Sequence, residues 1–213
     1  MNTVAVEHGS TCAVQIPVLL RQVAGRLWAA PVNLLGLLLT LWAAPAQGLT
    51  PPPVVKDVDL VKYSGTWYEQ ARLPLYWENE CWGVTVTYRP LPDGRFQVSN
   101  TCRLGGPQGQ ESGHQGLAWV EDNQPAAKLK VQFFWPIRGD YWILALGPNY
   151  EWSLVGTPDR EHLWILSRTP LLEEAIYQDL VALGQQLGYP VQQLIVTGQP
   201  QTPELATPVA HVP

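Results

Sequence analysis

The 213-residue sequence predicts an all-β protein, an eight-stranded up-and-down antiparallel β-barrel with one C-terminal helix packed outside. Three observations predict it. Short runs with strand character, each closed by turn residues, follow one another from Tyr63 to Arg168. One of them alternates cleanly: Leu129, Val131 and Phe133 on one face, Lys128, Lys130 and Gln132 on the other. A single amphipathic helical pattern comes after the last run. A sheet of this size removes its exposed edges by closing on itself, and a small closed barrel holds one small ligand. A two-sheet sandwich is the competing architecture.

The first strand is read at Gly65 to Leu73 and the second at Trp82 to Tyr88, with β-branched Val84, Thr85, Val86 and Thr87. Pro92-Asp93-Gly94 turns the chain into the third, Arg95 to Cys102. A Gly-rich loop, Gly105 to Gly113, leads to the fourth at Gln115 to Val120. Asp122 to Pro125 turns into the fifth, Lys128 to Phe133. The sixth, Tyr141 to Leu146, is apolar on both faces, so its inward set is open; Gly147-Pro148-Asn149 closes it. Glu151 to Val155 and Leu163 to Ser167 are the seventh and eighth, with Thr157-Pro158-Asp159 between them. The helix then starts with Thr169 as N-cap, Pro170 at N1, and Glu173 and Glu174 at its positive end. Its apolar stripe is Leu172, Ile176, Leu180, Leu183 and Leu187, and Gly188 fits C′. Gln193 to Thr197 reads as a short edge strand.

The ends of the chain have a different character. Arg21 and Arg26 precede an apolar run from Leu34 to Ala44, and Ala44-Pro45-Ala46 offers a small-x-small cleavage site. Residues 1–46 are therefore read as a targeting segment, with an uncleaved anchor from Trp28 to Ala46 as the alternative; the run is short against the ~20 apolar residues of a spanning helix. Residues 47–56, with Pro51-Pro52-Pro53, form a stiff spacer. Residues 57–198 are the folded domain and 199–213 a Pro- and Thr-rich disordered tail. The formal charge is −5 and there is no basic run, which argues against nucleic acid. An exported product with periplasmic, envelope or secreted destination follows, its oligomeric state open.

With Cys12 in the targeting segment, Cys81 and Cys102 are left as a pair. They flank the hairpin turned near Pro92 to Gly94, which brings them nearly opposite at the open end. A disulfide is expected there, with two reduced core thiols as the alternative.

Three short segments carry a family resemblance. Gly65-Thr66-Trp67-Tyr68-Glu69 is similar to the G-x-W signature on the first strand of lipocalins. Gly139-Asp140-Tyr141 resembles their second signature, and Leu163 to Pro170, with Arg168, their third. All three occur in order, and the likeness to the bacterial lipocalin and apolipoprotein D branch covers about residues 57–198. The meander brings Trp67 and Arg168 to the same barrel end, where a cation over an indole face is attractive. The family uses that pair, with Gly65, to close the floor.

The resemblance implies binding, storage or transport of a small hydrophobic ligand, a fatty acid or lysophospholipid, in the cell envelope, with membrane maintenance as a role. Alternation gives Leu129, Val131, Phe133, Val84, Val86 and Tyr88 as inward, with Ala71 and Ala118 leaving free volume if they point in. Four loops meet at the open end. One carries Leu75, Tyr76, Trp77 and Trp82, another Phe134, Trp135, Pro136 and Ile137. These residues suit ligand tails or peripheral contact with a membrane; capping the barrel by packing on each other is the alternative. Arg72 and Arg138 lie towards the mouth as carboxylate partners or solvated surface groups, and the loop Thr157 to Glu161 reads as solvated.

Enzyme motifs are absent: no G-x-S-x-G, H-E-x-x-H, P-loop or C-x-x-C. His114 and His162 have no ligand-spaced neighbours in sequence, so no metal and no cofactor is expected. Glu69, beside Trp67, is a buried acid or a hydrogen-bonded group at a barrel end. The chain is read as no enzyme. An envelope isomerase or hydrolase acting in the cavity is the alternative, and a filled barrel that binds a protein partner is a third reading.

Overall fold

The computed structural model describes residues 50–199. The targeting segment expected at 1–46, with Cys12, and all of the tail expected at 199–213 except Gln199 lie outside the described residues; Gln199 is buried with the domain and not part of a tail.

The expected barrel is present. Strands β1 (Gly65–Arg72), β2 (Cys81–Pro90), β3 (Phe96–Leu104), β4 (Glu111–Val120), β5 (Lys128–Gln132), β6 (Gly139–Leu146), β7 (Trp152–Gly156) and β8 (Leu163–Ser167) pair in sequence order. Every pairing is antiparallel, and β1 bonds both β2 and β8, which closes the sheet. A ninth strand, β9 (Ile195–Val196), adds to β1 beyond the point where β1 and β2 part. The sandwich alternative is thereby set aside.

Two apolar layers follow from the alternation. One fills the barrel interior and includes Trp67, Val86, Tyr88, Val98, Ala118, Leu129, Tyr141 and Leu166. The second lies outside β6–β8, where Leu144, Leu154, Leu163 and Ile165 meet Leu180 of helix α2 (Glu174–Gln186) and Tyr189 just beyond it. This explains why the sixth strand is apolar on both faces. A register shift between Ile143 and Ala145 turns Leu144 and Ala145 outward under the helix and leaves Tyr141, Ile143 and Leu146 inside.

The helix begins later than expected. Thr169 is not its N-cap; Glu173 stands there instead, and α2 starts at Glu174. The carbonyls of Thr169 and Pro170 accept from the Gln70 amide, and Ser167 Oγ donates to Thr169, so this stretch is held non-helical as a strap from β8. The C-terminus matches expectation. Gly188, at φ +87°, donates to Gln185, and Tyr189 to Gly184, which satisfies the last carbonyls through a left-handed glycine.

A short helix before the barrel was missed by the sequence reading: α1 (Leu60–Tyr63), capped by Asp59 Oδ1, which accepts from Val61 and Lys62 N–H at 2.9 and 3.2 Å. It delivers Tyr63 to the barrel floor. Strand β4 starts at Glu111, inside the expected Gly-rich loop.

Candidate functional site

The floor is built first. The Arg168 guanidinium lies 3.8 Å from the Trp67 ring centroid, and Trp67 is fully buried. Arg168 also donates to the carbonyls of Thr66, Lys62, Tyr63 and Tyr150 at 2.8–3.2 Å. One side chain thus ties α1, β1 and the β6–β7 turn together. Gly65, at φ +94°, leaves room for it, since a Cβ there would stand 3.3 Å from Arg168 Nη1.

Above the floor sits a cluster of buried hydroxyls. Tyr63 Oη meets Tyr141 Oη at 2.8 Å and Ser153 Oγ at 3.2 Å. Burial pushes the Tyr63 hydroxyl up to about 12 and raises those of Tyr88 and Tyr141 well above their ordinary value. All three are neutral, hydrogen-bonding groups within the buried cluster above the floor.

From there an aromatic column climbs one wall. Ring centroids step from Tyr88 to Tyr141 at 5.7 Å, to Trp164 at 6.4 Å, to His162 at 5.8 Å and to Trp77 at 6.0 Å. Trp77 is two-thirds exposed, so the column ends at the rim. The facing wall is small and aliphatic: Val84, Val86, Val98 and Ala118, with Val131 and Phe133 half-buried against them.

Among the interior candidates, the structure thus brings Val84, Val86, Tyr88, Ala118, Leu129, Val131 and Phe133 to the inner wall or the cluster that fills it. Two others stand elsewhere. Ala71 belongs to the layer beneath α2, with Leu73 and Ile165. Its expected inward direction is corrected by a register shift between Glu69 and Ala71: Glu69 pairs with Leu166, Ala71 with Ile165 and Arg72 with Trp164. The extra residue, Gln70, reverses every side chain after it. Trp135 is 87% exposed and borders a groove of about 570 Å³ with outward residues Arg89, Gln97 and Gln132.

The same shift turns Arg72 inward, so it is not a solvated surface group. It is buried to 3% exposure, its Nε 3.4 Å from Glu69 Oε1 and 3.1 Å from Glu78 Oε2. Its Nη2 donates to the Glu78 carbonyl at 2.5 Å, tying the first mouth loop to the wall. Glu69 is held further by Thr197 Oγ1, and Gln199 donates to the Glu69 and Val84 carbonyls at 2.6 and 2.9 Å. Burial, then the neighbouring Glu78 charge, pushes the Glu69 carboxyl up to about 8 in spite of Arg72. Burial also raises Glu78. In the sequence only the i, i+3 spacing of Glu69 and Arg72 hints at this triad; the bulge creates it.

Cys81 and Cys102 are joined as a disulfide at the mouth end of β2–β3, with Cα atoms 5.4 Å apart. The β7–β8 loop is less solvated than expected. Thr157 is buried, and Arg160 donates to Leu187, Pro158 and Thr50 carbonyls at 2.7, 3.3 and 2.8 Å. His162 does have acidic neighbours: Asp159 and Glu161 approach it within 4.8 Å. Asp159 is already engaged by Thr157 Oγ1 and the Glu161 N–H, and the arrangement identifies no metal site.

Comparison with known proteins agrees with this geometry. The family model described as "Lipocalin-like domain" matches residues 58–199. Temperature-induced lipocalin-1 of Arabidopsis thaliana is 38% identical over 159 residues, covering 70% of this chain and 84% of the relative. Outer membrane lipoprotein Blc of Escherichia coli is 37% identical over 156 residues, covering 73% and 86%. Apolipoprotein D of Bos taurus is 30% identical over 162 residues, covering 72% and 83%. Among solved structures, insecticyanin of Manduca sexta superposes with a TM-score of 0.56 at 21% identity, over 72% of this chain and 86% of the other, and shows the shared fold. The barrel closed on Trp67 and Arg168, the matching domain and these relatives place the chain in the lipocalin family.

Proposed function

We propose that the chain binds and carries a small apolar amphiphile, a fatty acid or lysophospholipid, inside the barrel, as an exported protein of the cell envelope. The observation that carries this reading is the inner wall, which has no charged side chain below the Glu69–Arg72–Glu78 cluster and runs from the Tyr63–Tyr141 hydroxyls to the Trp77 rim with small residues facing aromatic ones. Such a wall recognises length and apolarity. Burying about ten methylenes at ~0.8 kcal/mol each gives a gross ~8 kcal/mol, the scale of micromolar binding before ordering costs. The inward cation, Arg72, is already committed to two carboxylates, so the polar head belongs at the mouth. The Blc relative is by name an outer membrane lipoprotein, which supports the envelope reading.

Native mass spectrometry with lipid extraction, on protein from its own host envelope, tests the reading. It expects a co-purifying fatty acid or lysophospholipid near one per chain. In titrations of delipidated protein with saturated fatty alcohols, followed by tryptophan quenching, Kd is expected to rise about fourfold per methylene removed. Failure to bind any chain length, together with a bare protein in the spectrometer, rejects the carrier reading in favour of a filled barrel.

A further inference from the structure

The ion cluster at the far end of β1 is unbalanced. Two carboxylates, Glu69 from β1 and Glu78 from the first mouth loop, meet one guanidinium, Arg72. All three are withdrawn from water: side-chain exposure is 3% for Arg72, 4% for Glu69 and 12% for Glu78. Arg72 stays charged, so the cluster is neutral with one proton on the carboxylates and carries a net negative charge with none. The groups in hydrogen-bond contact with Glu69 from other elements are themselves neutral. Thr197 Oγ1 donates to its carboxylate, and the Gln199 amide joins its carbonyl to that of Val84 on β2. From β8, Leu166 and Trp164 stand opposite Glu69 and Arg72. At the rim, His162 stacks on Trp77 with Asp159 and Glu161 beside it, and exposed Glu80 follows in the loop. The loop is anchored at its ends. Leu75 is buried, the Gly105 N–H donates to the Glu80 carbonyl at 2.8 Å, and Cys81 is bonded to Cys102. Between these anchors the ties to the barrel are Glu78 on Arg72 and the Trp77 ring on His162.

We propose that Glu69, Arg72 and Glu78 form a proton-dependent latch, which holds segment 76–79 of the first mouth loop against the barrel while the two carboxylates share one proton and releases it when that proton is lost. A buried charge without a partner is hydrated or expelled rather than tolerated. Of the two carboxylates, Glu69 is fixed in the sheet and held by Thr197, whereas Glu78 stands on a loop tied only at its ends and through Arg72 and His162. Glu78 is therefore the one that moves into water, and Arg72 is left with Glu69 as a one-to-one pair. The bond from Arg72 to the Glu78 carbonyl then remains, and water replaces it at little net cost once the carboxylate has left. Burial, then the Glu78 charge, pushes the Glu69 carboxyl up to about 8, which sets where the latch turns. The direction is alkaline: closed and neutral below about 8, released above it. The latch does not depend on what the barrel carries.

The test is fluorine NMR of the full chain labelled with fluorotryptophan, titrated from neutral to alkaline pH, with the Trp77 line assigned by Trp77→Phe. That line is expected to move along a one-proton curve centred near 8. Along it the ratio of released to closed loop changes about tenfold per pH unit. A soluble neutral gadolinium chelate should broaden the line more above the midpoint than below it, because the ring leaves His162. Trp119 on β4 and Trp142 on β6, strands that do not pair with β1, should stay still. Glu69→Gln and Glu78→Gln should each abolish the step, since either leaves one carboxylate for one guanidinium and the loop stays latched. Glu80→Gln and His162→Phe should both keep it. No step in the wild type, or a step that survives Glu69→Gln or Glu78→Gln, overturns the latch. So does a step lost in His162→Phe, which assigns the titration to that ring. Equal broadening on both sides of the midpoint overturns the release, and movement of Trp119 and Trp142 together with Trp77 replaces it by a loosening of the whole barrel.

Discussion

Replacing Arg168 tests how the barrel is closed. Arg168→Ala removes a guanidinium 3.8 Å from the Trp67 centroid and donors to four carbonyls on three separate segments. The cation–π contact, half-buried, contributes ~1 kcal/mol. Two of the carbonyls, Tyr63 and Tyr150, lie in part-buried bonds, and losing a charged donor there costs ~1 kcal/mol each after water is readmitted. The other two face solvent and re-form bonds with water at little cost. The sum is ~3 kcal/mol, which for a domain of this size is a fall of ~6–12 °C in Tm. Arg168→Lys keeps the charge but has no planar fork, so it should recover about half of the loss. Urea unfolding followed by tryptophan fluorescence, with the disulfide intact, measures both variants. A loss below ~1 kcal/mol in Arg168→Ala, or equal losses in the two variants, would show that the fork over Trp67 does not hold the floor.

Three further outcomes follow from the same geometry. Replacing Cys81 and Cys102 together by serine opens a loop with a sequence separation of 21 and should cost ~3 kcal/mol in the urea midpoint, with β2–β3 amides exchanging faster. Glu69 holds its proton to about pH 8 in the folded state, far above the ordinary carboxylate value. Its contribution to stability is therefore complete below the unfolded value and is lost as pH rises through about 8. Glu69→Gln should accordingly gain stability relative to the wild type as pH rises, and a difference in unfolding midpoint that does not change with pH would contradict the burial argument. Gly198→Ala puts a methyl group into the indole of Trp82, where the chain wedges between β1 and β2, and should cost ~1–3 kcal/mol by thermal unfolding.

What the sequence made legible was local. The clean alternation of β5, the turn at Pro92 to Gly94 and the hairpin that sets Cys81 against Cys102 are all decided within a few residues, and each is found as read. Direction after a bulge is not local. Trp67, Glu69 and Ala71 look like one inward face, and nothing in Gln70 says that it is the inserted residue; only its partner strand shows that Leu166 and Ile165 face Glu69 and Ala71. The same holds for Leu144 in β6. Arg72 was misplaced for this reason. One weak signal was available: Glu69 and Arg72, opposite charges three apart on a strand, can share a face only across a bulge. The late start of α2 was hidden because Thr169 and Pro170 have good helix-start chemistry, and the competing bonds come from Gln70, about a hundred residues away.

The distribution of charge bears on where an amphiphile bound as proposed would put its head. On the described strands, Arg89, Arg103, Lys128 and Lys130 stand on the outward face, as do Glu111 and Asp140. Glu69 and Arg72 are the inward exceptions, and with Glu78 they face one another at the far end of β1, under the loop that Arg72 ties down. The lumen below them is left to hydroxyls and hydrocarbon. A buried charge without a partner costs far more than a methylene gains, so an amphiphile threaded into this space must leave its charged head at the rim. The rim is where Trp77 ends the aromatic column and where the β5–β6 loop projects. Under the proposed carrier function, a head stopped there stays in water while its tail lies inside the barrel.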